Sequence, residues 1–73
     1  DDERTAVEIE TGKSDVVHNV KKALNAGFDE IICVATSRYA EDKIRHLLEN
    51  ANMTDGKVKI TSVLAFDISN PFQ

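Results

Sequence analysis

The sequence predicts a small α/β domain with elements in the order β-α-β-α-β. Two segments of strand character, at residues 6–11 and 31–35, flank a segment whose apolar residues repeat as on one face of a helix. The second strand segment is apolar throughout, which is typical of a strand covered on both faces in a parallel sheet. We therefore expect a three-layer fragment built around a small, mostly parallel sheet.

Length, composition and charge limit what the chain can be. Its 73 residues suffice for a single small domain or domain fragment, with residues 1–5 as a lead-in and 67–73 as a tail. A domain of this size buries only about 60% of its unfolded surface, so we expect the remainder of a larger protein, or self-association, to complete the sheet. The net charge of −4 argues against broad adhesion to nucleic acids or membranes. Without a signal peptide or a long apolar run, we expect a cytoplasmic protein and no membrane partner.

The first strand is predicted over residues 6–11. Val7 and Ile9 alternate there with Glu8 and Glu10, and this period of two is typical of a half-buried strand. The two apolar side chains should therefore point one way and the two carboxylates the other. In the ordinary pattern of such a strand, the polar side chains face solvent.

A turn and a helix follow the first strand. Gly12 supplies the turn, and Ser14 or Thr11 is expected to cap a helix over residues 15–26. The apolar side chains of this helix recur at i, i+1, i+4, i+7 and i+8, which places them on one face. Gly27 is expected to end the helix in the left-handed conformation.

The second half of the chain is predicted to form a strand, a helix and a strand. The apolar run at residues 31–35 is the second strand, and Thr36 or Ser37 caps a helix over residues 39–50. Residues 57–66 alternate as a third strand. Since a helix of about 12 residues joins the first two strands, they should be parallel with a right-handed crossover.

Polar and cationic residues follow the first two strands. In a parallel unit both loops emerge at the same edge of the sheet, where open α/β sheets usually bind ligands. The residues of these loops that could hold an anion are Gly12, Lys13, Ser14, Ser37 and Arg38. Backbone amides at a helix N-terminus, together with a cation, are suited to phosphate binding. The alternative is that the hydroxyls only cap the helices and the cations are solvated.

Glu8 and Glu10 form a candidate metal site. Two residues apart on a strand, they lie roughly 7 Å apart on one face. Mg²⁺ binds through one or two protein carboxylates together with waters and substrate phosphate. Acidic residues are poor strand formers, and this pair leads directly into the candidate anion-binding edge. A metal site therefore competes with the ordinary solvent-facing interpretation.

Three other features favour structural roles. A nucleotide-binding P-loop would need glycine where Val7 stands, so that motif is not expected. Cys33 lies within the apolar strand and is expected to be an unreactive core residue. Tyr39 has the chemistry to stack on a base, but packing at the start of the second helix is the favoured interpretation.

The segment Ala6-Val7-Glu8-Ile9-Glu10-Thr11-Gly12-Lys13-Ser14-Asp15, the following helix and residues 31–35 resemble the second half of a PD-(D/E)xK nuclease-like core. The resemblance is to versions attached to conjugation- and helicase-type ATPases. In that family a strand carries an acid-x-lysine pair ahead of a helix and a parallel strand. Glu8 matches the acid, Glu10 stands at the lysine position, and Lys13 can supply the cation instead. No counterpart of the strand that carries the family's first aspartate precedes Glu8, so we expect an incomplete restriction-endonuclease-like core.

This resemblance implies a nuclease-like DNA-processing domain that takes part in metal-assisted phosphodiester hydrolysis in its parent protein. Glu8, Glu10 and Lys13 would be catalytic, and the two glutamates would hold Mg²⁺ or Mn²⁺. The residues that would position the phosphates of DNA are Gly12, Ser14, Ser37 and Arg38. The alternative function is a non-catalytic DNA- or phosphate-binding or assembly module of a larger ATPase.

Overall fold

The computed structural model describes residues 2–53 and 56–63. Its elements are β1 (Thr5–Glu10), α1 (Val16–Asn25), β2 (Glu30–Ala35), α2 (Arg38–Asn50) and β3 (Val58–Ser62). The predicted α/β fold with the order β-α-β-α-β is confirmed. The third strand ends earlier than predicted, and residues 64–66 of that prediction, like the tail at 67–73, lie outside the described residues. In the described ranges, neither helix has the length and apolar character needed to cross a membrane.

The three strands form one parallel sheet in the order β1-β2-β3. In the first pair, Thr5 lies opposite Glu30 and Glu10 lies opposite Ala35. Because all strands run in the same direction, the loops after β1 and β2 emerge at one edge, which we call the carboxyl edge. The backbone amide of Thr36 donates to the carbonyl oxygen of Glu10 at 3.1 Å, so the two loops are joined there.

Both helices pack on the same face of the sheet. Two right-handed crossovers that step in one direction across a sheet place their helices on one side. A single buried apolar cluster accordingly includes residues from both helices and from alternate positions of β1 and β2. Its members are Ala6, Val16, Val20, Ala23, Ile31, Cys33, Ala35, Ala40, Ile44 and Leu48. Two of the three expected layers are therefore present in the described residues.

The N-cap of α1 differs from the prediction. Asp15 is the cap, and its side chain accepts a hydrogen bond from the amide of His18 at 3.2 Å. The predicted caps, Ser14 and Thr11, are instead bonded to each other within the preceding turn, where the Thr11 amide donates to the Ser14 hydroxyl at 2.9 Å. The prediction of the cap was therefore wrong by one residue, because the turn after β1 uses both hydroxyls itself.

The other helix ends follow local sequence signals. Ser37 caps α2 as expected and accepts from the amide of Ala40 at 3.0 Å. Gly27, with φ of 89°, ends α1 in the predicted left-handed conformation, and the Phe28 amide then donates back to the carbonyl of Ala23 at 3.3 Å. These caps fix where each helix begins and ends relative to the carboxyl edge.

Candidate functional site

Glu8 and Glu10 face α1, while Val7 and Ile9 point away from the helices. Glu10 is completely buried, and Val7 and Ile9 are 59% and 63% exposed. The solvent-facing interpretation of the acidic pair is therefore wrong for Glu10. The physical reason is the strand register: Glu10 lies opposite Ala35, which is itself fully buried under the helices, and paired residues share a face of the sheet.

The carboxyl group of Glu10 has no cationic partner among the described residues. The amide nitrogen of Asn19 lies 3.4 and 3.5 Å from its two oxygens, which are long hydrogen bonds. Burial raises the pKa of Glu10, hydrogen bonds from Asn19 and Ser14 lower it in part, and the negative charges of Glu8 and Asp15 raise it further. The surroundings of Glu10 therefore disfavour its ionised form.

Glu8 is half-buried and lines a pocket between β1 and α1. The pocket has a volume of about 180 Å³ and is lined by Glu8, Asn19, Lys22, Ala23, Ala26 and Phe28. Asn19 lies both in the wall of this pocket and against the carboxyl group of Glu10. Asn19 therefore links the wall of the pocket to the buried carboxyl group of Glu10.

The two carboxylates offer a partial set of metal ligands. Within residues 2–53 and 56–63, no group of three or more histidine, cysteine, aspartate or glutamate side chains is arranged to hold a metal ion. Structural zinc sites need four protein ligands, so the pair does not fit zinc. Mg²⁺ and Mn²⁺ prefer oxygen ligands, and Mg²⁺ commonly keeps several waters beside one or two carboxylates. Glu8 and Glu10 supply two carboxyl groups of the type that such an ion uses, one half-buried and one fully buried.

The turn after β1 is held by its own hydrogen bonds. The Lys13 amide donates to the Thr11 hydroxyl at 3.2 Å, and the Ser14 amide donates to the Thr11 carbonyl at 3.2 Å. Lys13 is exposed in this turn, and Ser14 is half-buried. No hydrogen bond or ion pair joins Lys13 to Glu8 or Glu10 in the described part of the chain. The turn thus follows directly on the buried Glu10, and Lys13 forms no ion pair with Glu8 or Glu10 among the described residues.

The second loop of the carboxyl edge leads directly into α2. Ser37 is the cap of the helix, and Arg38 is its exposed first residue. The hydrogen bond between Thr36 and Glu10 holds this loop against the end of β1. The structure therefore brings together the two loops that the sequence predicted to share an edge, with the N-terminus of α2 facing that edge.

Two residues of α2 that the sequence did not assign to the site contact the Gly12 turn. The ammonium nitrogen of Lys43 lies 2.6 Å from the carbonyl oxygen of Gly12. A Cβ atom on residue 12 would lie 2.7 Å from Cε2 and 3.0 Å from Cδ2 of Tyr39. Since real Cβ atoms do not approach a ring so closely, glycine at this position makes room for Tyr39. Tyr39 and Lys43 are spaced at i and i+4 on a helix, so the sequence alone indicates that both side chains lie on one face and can contact the same turn.

Comparison of the chain with protein-family models, curated proteins and solved structures gave no match. The resemblance to PD-(D/E)xK cores therefore stays a prediction, supported by the residues that it matches. The function has to be inferred from the geometry of the carboxyl edge and of the two acidic residues beside it.

Proposed function

We propose that this chain belongs to a nuclease-like DNA-processing domain in which Glu8 and Glu10 hold a divalent metal ion, Mg²⁺ or Mn²⁺. The observation that carries the proposal is the buried carboxyl group of Glu10, whose charged neighbours Glu8 and Asp15 are both acidic. A buried carboxyl group in such surroundings is costly to ionise, and groups of this kind are concentrated at functional sites. A divalent cation at the pair would replace this repulsion with attraction.

The residues of the carboxyl edge have separate roles in this proposal. When bound, a divalent ion supplies Lewis acidity and an activated water for phosphodiester hydrolysis. Lys13 stabilises negative charge at the scissile phosphate, and Arg38 with the amide of Gly12 positions the flanking phosphates. The Ser37 hydroxyl accepts its capping bond and still has a proton to donate to a phosphate.

The role of Ser14 is more restricted than the sequence suggested. Its hydroxyl already accepts from the Thr11 amide at 2.9 Å, and its hydrogen bonding lowers the pKa of Glu10. A hydroxyl has one proton to donate, and at Ser14 the Glu10 carboxyl group competes for it with the Thr11 hydroxyl at 3.2 Å. We propose that Ser14 holds Glu10 in place and contributes its backbone amide to phosphate binding.

Metal binding tests the proposal without requiring a complete nuclease. Thermal unfolding of the chain is followed during titration with Mg²⁺ and with Mn²⁺, since a ligand at 100 times its Kd stabilises the folded state by about 2.7 kcal/mol. We expect the metal to raise the Tm, and the variants Glu8→Gln and Glu10→Gln to lose that response. Asp42→Asn, which removes an exposed carboxylate from α2, is the matched control and should respond like the parent chain. An identical response in all four proteins would place the metal elsewhere and end the proposal.

A second candidate is a non-catalytic DNA- or phosphate-binding or assembly module of a larger ATPase. Two observations favour it: Glu10 is fully covered, and Val7 and Ile9 are exposed on the outer face of the sheet. Metal ions would not raise the Tm of such a module. Its double variant Lys13→Ala, Arg38→Ala would bind phosphate or DNA more weakly than the parent chain. Unchanged binding in that variant would leave both residues as ordinary surface charges and reject this candidate as a phosphate-binding module.

A further inference from the structure

Tyr39 is an exposed aromatic ring that is seated against the turn after β1. The residue is 69% exposed, although the next residue, Ala40, is completely buried. The Cδ2–Cε2 edge of the ring occupies the space that a side chain on residue 12 would need. Gly12 therefore supports one edge of the ring, while most of the ring remains accessible to solvent.

Three cations belong to the two segments that meet at this ring, the turn after β1 and the start of α2. Lys13 follows Gly12 in the chain, Arg38 precedes Tyr39, and Lys43 is held to the Gly12 carbonyl at 2.6 Å. All three side chains belong to exposed residues. Of the two acidic residues between Tyr39 and Lys43, Glu41 pairs with Arg45 and Asp42 is exposed. The grouping therefore has a net positive charge on a chain whose net charge is −4.

We infer that Tyr39 is a stacking platform for an unpaired base of single-stranded nucleic acid, with Lys13, Arg38 and Lys43 holding the adjacent phosphates. Proteins that bind single strands combine aromatic rings, on which bases stack, with positive charge along the backbone path. Bases inside a duplex are already stacked on each other and cannot cover the ring. This inference deepens the DNA-processing proposal and rests on it, because that proposal makes a nucleic acid the expected ligand. An acidic peptide could also bind the cations, but it would not need the aromatic ring.

The chain provides its own optical probe for the test. Tyr39 is its only tyrosine, and it has no tryptophan, so intrinsic fluorescence reports on Tyr39 alone. We expect single-stranded oligothymidylate, added at low salt with EDTA present, to quench this fluorescence, and the affinity to fall as salt is raised. A blunt-ended duplex, which has no unpaired bases, and poly-glutamate should quench weakly or not at all. Absence of quenching by the oligonucleotide, or equal quenching by either competitor, would overturn the inference.

Variants separate stacking from charge, with a labelled oligonucleotide and fluorescence anisotropy as the readout. Tyr39→Phe should retain the affinity, whereas Tyr39→Ala should weaken binding roughly five- to 150-fold, the loss typical of one base–aromatic stack. Gly12→Ala should also weaken binding, because its Cβ displaces the ring. Arg38→Ala should weaken binding and reduce the salt dependence, while Lys21→Ala, at an exposed position on α1, should do neither. If Tyr39→Ala bound as tightly as Tyr39→Phe, the ring would have no part in binding.

The experiment also distinguishes failure of this inference from failure of the metal site. EDTA removes divalent ions, so oligonucleotide binding is measured independently of any metal held by Glu8 and Glu10. A metal response without quenching would reject the role of Tyr39 and leave the metal site standing. Quenching without a metal response would support single-strand binding and reject metal-assisted hydrolysis.

Discussion

Replacement of Glu10 by glutamine should stabilise the metal-free protein at neutral pH. The change keeps the shape of a fully buried side chain and removes its charge. Glu8 lies two positions away on the same face, and two unit charges roughly 7 Å apart repel by about 2 kcal/mol at an effective dielectric constant of about 20. Against this, the substitution weakens the hydrogen bonding from Asn19 and Ser14 to the carboxylate. The contacts with Asn19 are long and at the low end of the 0.5–1.5 kcal/mol that such bonds contribute. We expect a net gain in the free energy of unfolding of about 1 kcal/mol.

The same substitution should remove part of the pH dependence of stability. Because the pKa of Glu10 is raised in the folded protein, the folded state holds this proton at pH values where the unfolded state has lost it. The contribution of Glu10 to the stability of the parent chain therefore becomes more favourable as the pH falls through the raised pKa, and this gain is complete below the ordinary glutamate pKa of 4.5. Glutamine cannot titrate, so the advantage of Glu10→Gln should shrink over this interval.

Urea unfolding at neutral pH and near pH 4.5, followed by circular dichroism, measures both effects on parent and variant. Asp42→Asn removes the same charge from an exposed position and should change stability by less than about 0.5 kcal/mol. Saturating Mg²⁺ should reverse the order, because the metal stabilises only the chain that keeps both carboxylates. A Glu10→Gln protein less stable than the parent at neutral pH, or an advantage that did not shrink on acidification, would refute this account of Glu10.

Three further outcomes follow from local geometry. Asp15→Ala should lower the free energy of unfolding by about 1 kcal/mol through loss of the α1 cap, and Ser14→Ala should not reproduce this helix-end fraying in amide exchange. Gly27→Ala should cost about 1 kcal/mol or more, because φ of 89° is strained for alanine; an unchanged urea midpoint would contradict this. Burial and the nearby charges of Glu10 and Glu8 raise the pKa of Cys33 to about 11, so its thiol should react with a disulfide reagent only at the rate of unfolding. A fast reaction in the native protein would contradict its buried position.

The elements of the fold were predictable because their signals are local. Gly27 after an apolar helical repeat, Ser37 before another, and an unbroken apolar run at residues 31–35 each act within a few residues of chain. Parallel pairing then follows from the length of the connecting helix. The N-cap of α1 was missed because Ser14 and Asp15 have comparable capping tendencies, and only the turn, which occupies the Ser14 hydroxyl, decides between them.

The candidate site was only partly predictable. Parallel strands were enough to place the loops that contain Lys13 and Arg38 at one edge. The contact between Tyr39 and Gly12 depends on how α2 crosses the sheet, which no short stretch of sequence specifies. Likewise, alternation in β1 shows which of its residues share a face, but it does not show which face the helices cover. The neighbouring strand β2 is apolar on both faces, so its sequence does not distinguish the covered face from the exposed one.

The orientation of β1 is unfavourable for the side chains on both of its faces, because apolar side chains are exposed on one face and a carboxyl group is buried on the other. A slip of one residue would turn Val7 and Ile9 toward the helices and Glu8 and Glu10 toward solvent. Burying the exposed parts of those two apolar side chains would contribute roughly 2–4 kcal/mol, and the carboxyl group of Glu10 would regain water. The observed register keeps Ala6 against the core and the end of β1 bonded to Thr36, so long-range pairing outweighs these costs. Violations of local rules are expected at functional or strained sites, and the buried carboxyl group of Glu10 is the violation on which the proposed metal site rests.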